Sequence, residues 1–243
     1  MTDEGTNARR FLNAFADIEA ELARQQNKRI NGEGYTKFWE LVESSDELIP
    51  KQKEALKLFG NLRNAISHHR YLNDAPIADP RDDAVQEIER IRDLVLKPPR
   101  LVDALKSHGK PHVFSPDDDV KGFLRLVTDE DFSQAPVEFE KGRYELITTN
   151  AVARWFAHNL DEQGGLLESA PVKHVLGYAE LGDRLQKVGP DITTAKAINI
   201  FSGQASSEKE PPAALLVMDL PGQPPKRLSV RADLALLYAQ LDG

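Results

Sequence analysis

Leu62 to His69 read LRNAISHH, which sets an arginine, an amide and two histidines close together at Arg63, Asn64, His68 and His69. Histidine ordinarily titrates near neutrality, so it can take a proton from one oxygen and give one to another. An arginine beside it can hold the charge that develops on a phosphate. These residue types describe acid–base chemistry at a phosphate with no metal required. A second group lies far along the chain. Tyr144 to Ile147 form a strand-like run that passes straight into Thr148-Thr149-Asn150 and a helix. A hydroxyl residue at such a junction presents free backbone N–H groups beside its own donor, and anions bind there. Arg231 and Asp233 occupy a comparable junction further on. Structural roles compete with these readings. Thr148 and Asp233 are also good helix caps, and Arg63 and His68 also suit ion pairs at a seam between two chains.

Other polar groups carry less. Asp117-Asp118-Asp119 follow Pro116, and the acidic first turn of a helix explains them better than a metal site. His108 and His112 are separated by Gly109 and Pro111, which bar a helix that would aim both at one ion. His158 and His174 have no partner at ligand spacing, and no metal is expected. The absence of cysteine removes disulfides and thiolate zinc sites. A net charge of −8 argues against broad electrostatic binding to nucleic acid, though not against a local basic site. No apolar run is long enough to cross a membrane, and MTDEGTNARR has no apolar signal region. The expected location is the cytoplasm.

Residues 7–97 read as helices alone. Phe11, Phe15, Ile18 and Leu22 keep a helical period, as do Tyr35, Phe38, Trp39 and Val42. A third stripe is Ala55, Leu58, Phe59, Leu62 and Ile66, and a fourth is Val85, Ile88, Ile91 and Val95. Breakers fall at Asn31 to Gly34, at Pro50 and from Asn73 to Pro80. Short helices with short connections predict an up-and-down bundle, closed by Pro98-Pro99. At about 100° per residue, the third stripe turns Asn64 and His68 together away from the core. It leaves His69 at the core edge and Arg63 at the flank.

From residue 100 onward strands alternate with helices, and the pattern repeats. Pro116-Asp117 before Val120, Phe123, Leu124 and Val127 parallels Pro190-Asp191 before Thr194, Ala197, Ile198 and Phe201. In each copy a strand, a turn, a second strand and a helix follow: Pro136-Val137 in one, Leu215 to Met218 in the other. Repeats of this kind imply two stacked units sharing a core. Ser202 to Pro212 is a polar insertion read as a loop, Asp161 to Gly165 a connector, and Trp155 a packing or interface residue.

The stretch Asp131 to Arg154, with Ser133-Gln134-Ala135-Pro136-Val137 at its start, resembles the centre of a CBS domain. Val172 to Leu241 resembles a second copy, so residues 100–241 resemble a CBS pair. The helical segment with its Arg63-Asn64…His68 motif resembles the HEPN domain. The expected fold is therefore α plus α/β: a HEPN-like four-helix bundle over 1–98, then βαββα-type CBS motifs over 99–165 and 166–243. The CBS resemblance implies an adenine nucleotide ligand (AMP, ADP or ATP-like) near Pro136, Val137, Thr148, Asn150, Arg231 and Asp233. A hydroxyl holds phosphate in such sites, and a carboxylate three residues later holds ribose. Thr148 keeps the hydroxyl but Ala151 stands at the carboxylate position. Asp233 keeps the carboxylate but Val230 stands at the hydroxyl position, with Ser229 expected on the other face of its strand. Arg231 would add a charged contact to phosphate. The HEPN resemblance implies a dimeric, metal-independent endoribonuclease with Arg63, Asn64 and His68 from both chains in one cleft. Together they imply a homodimer, joined through both parts, in which a nucleotide controls RNA cleavage. The alternatives are a non-catalytic sensor and a dimerisation scaffold whose bundle recruits a partner.

Overall fold

The computed structural model describes residues 7–30, 36–68, 78–140, 142–160, 170–204, 210–220 and 222–242, with backbone alone at His68. They mix helices and sheets, and the chain divides into two compact units, Met1–Pro99 and Arg100–Gly243.

The first unit holds helices α1 (Asn7–Gln25), α2 (Phe38–Glu43), α3 (Pro50–His68) and α4 (Asp82–Leu96). Proline at the first position of α3 costs no hydrogen bond, and Asp82 and Asp83 complement the start of α4. The stripes of α1 and α4 form the core: Phe11, Phe15, Ile18 and Leu22 pack with Val85, Ile88, Ile91 and Val95. The other two stripes hold at Phe38, Val42, Ala55, Phe59, Leu62 and Ile66, which pack on this core, and depart from expectation at single positions. On α3, Leu58 is 68% exposed, whereas Leu56 is fully buried and Gln52 nearly so. Gln52 accepts the Ile49 N–H at 3.0 Å, so its buried amide is satisfied in the first turn of the helix. On α2, Leu41 and Val42 are buried and Trp39 is 55% exposed. A helix of six residues has too few turns to bury both sides. Tyr35, the Asn31 to Gly34 breaker and the turn through Pro76 lie outside the described residues.

The second unit is built twice over. Its elements are α5 (Leu101–Ala104), α6 (Val120–Glu130), β1 (Gln134–Glu140), β2 (Arg143–Thr148), α7 (Thr149–Asn159), α8 (Val172–Leu176), β3 (Leu185–Val188), α9 (Thr194–Phe201), β4 (Ala214–Val217), β5 (Arg227–Val230) and α10 (Leu234–Asp242). β1 and β2 form an antiparallel hairpin pairing Gln134 with Thr148, turned by Gly142 at φ 88°. β4 and β5 form its counterpart, with β3 parallel on the other edge of β4. In the first copy that parallel strand shrinks to one bridge, Phe114 with Val137. Each Pro-Asp then leads to a capped helix: Asp119 accepts the Lys121 N–H before α6, and Thr193 accepts the Lys196 N–H before α9.

The acidic triplet is therefore divided, not a first turn. Asp117 pairs with Lys173, Asp118 accepts the Ser115 N–H, and Asp119 is the cap. The helix proper starts at Val120 and has no acidic residue in its first turn.

Each repeat is completed by a helix that belongs, in sequence, to the other. Leu101 at the head of α5 donates its N–H to Ile192 at 2.9 Å, and Arg100 bridges Thr193. Val172 at the head of α8 donates to Asp118 at 2.8 Å, and Pro171 bridges Asp119. These are the same bonds at corresponding places. Thus α5, which precedes the first repeat, docks on the second, and α8, which precedes the second, docks on the first. Val172, Val175 and Leu176 of α8 lie in the first repeat's core with Phe114, Phe123, Val137, Ile147 and Trp155. The connector at Asp161 to Gly165 and residues 205–209 of the polar insertion lie outside the described residues. No helix among the described residues is long and apolar enough to cross a membrane.

Candidate functional site

Thr148 ends β2 and caps α7, accepting the Ala151 N–H at 3.0 Å. Its hydroxyl then donates to Asp183 Oδ1 at 2.8 Å. Asp183 comes from the short turn Leu181–Asp183 ahead of β3 and is 7% exposed. Its second oxygen accepts the Glu180 N–H at 3.0 Å and pairs with Arg154 of α7, whose Nε donates to the Tyr178 carbonyl. The carboxylate missing at Ala151 thus has a near neighbour in Asp183, a residue that no local sequence pattern marks. Beside this network opens a cavity of about 850 Å³ walled by Tyr144, Glu145, Leu146, Leu181, Asp183 and Glu210. Burial, with a hydrogen bond to Glu138 adding to it, pushes the Tyr144 phenol up to about 12, so the phenol stays neutral across the physiological range.

The other junction is built in reverse. Residues Arg231–Asp233 make one tight turn between β5 and α10. The turn folds Asp233 back, so its Oδ2 accepts the Val230 N–H at 2.8 Å and the Ser229 hydroxyl at 3.2 Å. Ser229 therefore does not face away from Asp233, because strand alternation stops at the turn. Asp233 Oδ1 meets His108 Nε2 at 3.1 Å, and the His108 Nδ1 atom is buried with no hydrogen-bond partner among the described residues. Arg231 lays its guanidinium on the carbonyls of Pro211 and Pro212. Pro136 and Val137 are buried in β1, Asn150 is exposed at the start of α7, and Gln134 carries a buried Oε1 with no partner among the described residues.

In the helical unit, α1, α2 and α3 enclose a separate cleft of about 400 Å³. Lys57, Gly60, Asn61 and Asn64 form its wall along α3, with Arg63 beside them. Phe15 and Glu19 face them from α1, and Lys37, Phe38 and Trp39 close it from the start of α2. The Arg63 guanidinium carbon stands 5.8 Å from the centre of the Phe15 ring, and Nη1 donates to Asn64 Oδ1 at 3.3 Å. Burial pushes the Glu19 carboxyl up, and the Arg63 charge pulls it part of the way back. Arg63 and Asn64 thus share one cleft. The His68 side chain and all of His69 lie outside the described residues.

A scan against protein families found no match. A search of curated proteins found none either. Among solved structures the chain is similar to several CBS-domain proteins. One is CBSX2 in complex with AMP, at 13% identity and a TM-score of 0.40, over 60% of this chain and 99% of that one. Another is a CBS-domain protein of unknown function from Kribbella flavida, at 14% identity and 0.41, over 56% and 97%. The chain is also similar to a functionally unknown conserved protein domain from Neisseria meningitidis, at 15% and 0.40, over 74% and 98%.

Proposed function

We propose that residues 100–242 form a CBS pair that senses an adenine nucleotide and controls the helical unit. The observation that carries this reading is the reciprocal docking of α5 and α8. It joins two βαββα-like repeats into one body and sets each repeat's last helix N-terminus against the segment leading into the other. Two further features support a ligand there: the anion-competent start of α7 at Thr148, and the buried Oε1 of Gln134, which has no partner among the described residues and is paired across the hairpin from Thr148. That acceptor suits an amino group such as adenine offers.

Calorimetry with AMP, ADP and ATP on the full chain tests the reading. Asp233→Asn keeps an acceptor for the Val230 N–H but removes the charge, and affinity should fall roughly tenfold, the effect of losing one charged hydrogen bond. His108→Ala frees Asp233 Oδ1 and should tighten binding. A folded protein that binds none of the three nucleotides would falsify the sensor.

The scaffold alternative has one observation in its favour: Asp183 and Asp233 both already bond to groups of the protein. For the helical unit, the presence of Arg63 and Asn64 in one cleft supports metal-independent RNA cleavage with His68, in a homodimer.

A further inference from the structure

The cleft of the helical unit offers more than the Arg–His motif. It contains three kinds of surface in one concavity. Phe38 packs on Phe15 with ring centres 4.2 Å apart, and Trp39 follows Phe38 at the mouth, 55% exposed. Lys37, Lys57 and Arg63 bring cationic groups to the wall, Lys57 also pairing with Glu43 at 2.7 Å. Asn61 and Asn64 supply amides with donors and acceptors. Among the described residues of the wall, only Glu19 is acidic. Gly60 lies on the α3 side, and a Cβ there would come within 3.7 Å of the Phe38 ring, an ordinary contact, so the glycine is not needed for packing. Its bareness instead widens the cleft.

An aromatic face beside cations is the arrangement that holds a nucleobase and its phosphate together. A carboxylate with amides at the edge can accept from and donate to the base. We propose that this cleft binds a nucleotide unit of single-stranded RNA: the base stacks on Trp39, the phosphate meets Lys37 and Arg63, and Glu19 with Asn64 meets the base edge. The proposal rests on the reading of this cleft as an RNA site, but it requires neither His68 nor cleavage, and it is independent of the adenine sensor. The volume of about 400 Å³ suits one nucleotide and not a duplex.

Fluorescence anisotropy of labelled hexauridylate on the full chain, without divalent metal and at low salt, tests this. Uridine is chosen because adenine nucleotides would also report on the second unit. Binding should weaken roughly tenfold in Trp39→Ala, the scale of one lost base–aromatic stack. It should be restored by Trp39→Phe and weakened again by Lys37→Glu. Both sites are exposed, and circular dichroism checks that the variants fold. Competition by UMP would identify a mononucleotide as sufficient, and binding of hexauridylate without that competition would identify the strand. Either result supports the cleft. No binding of either probe to the folded protein, or binding indifferent to both Trp39→Ala and Lys37→Glu, overturns it.

Discussion

The Thr148 hydroxyl is used twice, once as acceptor for the cap of α7 and once as donor to Asp183, at a residue 3% exposed. Thr148→Val keeps the shape and removes both bonds, so Asp183 loses a donor inside the fold. The loss should be about 1–3 kcal/mol in urea denaturation, with Thr148→Ser close to wild type. A Thr148→Val variant as stable as the parent would mean that Asp183 is satisfied without the hydroxyl. The junction itself was readable in the sequence, because a hydroxyl between a strand and a helix is a local pattern. Asp183 and His108 were not readable. Their partners lie 35 and 125 residues away, and only the folded chain brings them together.

At the scale of elements, α1 and α4 were legible because their apolar stripes are unbroken and face each other. α3 was legible as a helix and in most of its rotation, since Ala55, Phe59, Leu62 and Ile66 meet the core as the pattern predicts. Leu58 is the exception, and Leu56 is buried in its stead. The consequence is directly measurable. Leu56→Ala, at a fully buried site, should cost about 2–5 kcal/mol, while Leu58→Ala, at 68% exposure, should change stability by less than about 0.5 kcal/mol. Equal effects would mean that Leu58 is covered, as the hydrophobic pattern suggested. That rotation matters for function, since it also sets Arg63 over Phe15 and Asn64 into the cleft. The bond between Ser229 and Asp233 was hidden for a related reason. Period-two alternation describes a strand only while it lasts, and β5 ends one residue later.

For the whole molecule, the repeated Pro-Asp and the paired hairpins were visible in sequence, but the exchange of α5 and α8 was not. A helix of four or five residues has no pattern that says which neighbour it will join. If the second unit controls the first, a nucleotide must bind the controlling state more tightly than the other, since a ligand shifts an equilibrium only by that difference. RNA cleavage in chelator should then be lost in His68→Ala and kept in His69→Ala, and AMP should change its rate in wild type at a roughly tenfold lower concentration than in Asp233→Asn. Cleavage untouched by His68→Ala would remove the catalytic assignment.

The exchanged helices also set a timetable for the chain as it is made. α5 emerges early, but the surface it rests on, with Ile192 and Thr193, comes some ninety residues later. At ribosomal rates of about 5–20 residues per second, it waits on the order of ten seconds with Leu101 and Leu105 uncovered. The first repeat, in turn, lacks α8 until the connector has passed. The first repeat can close once α8 has followed, but α5 and the second repeat cannot close until α10 is made, so the unit's last step comes late. The interval before that step is when a chaperone or a protease would find it.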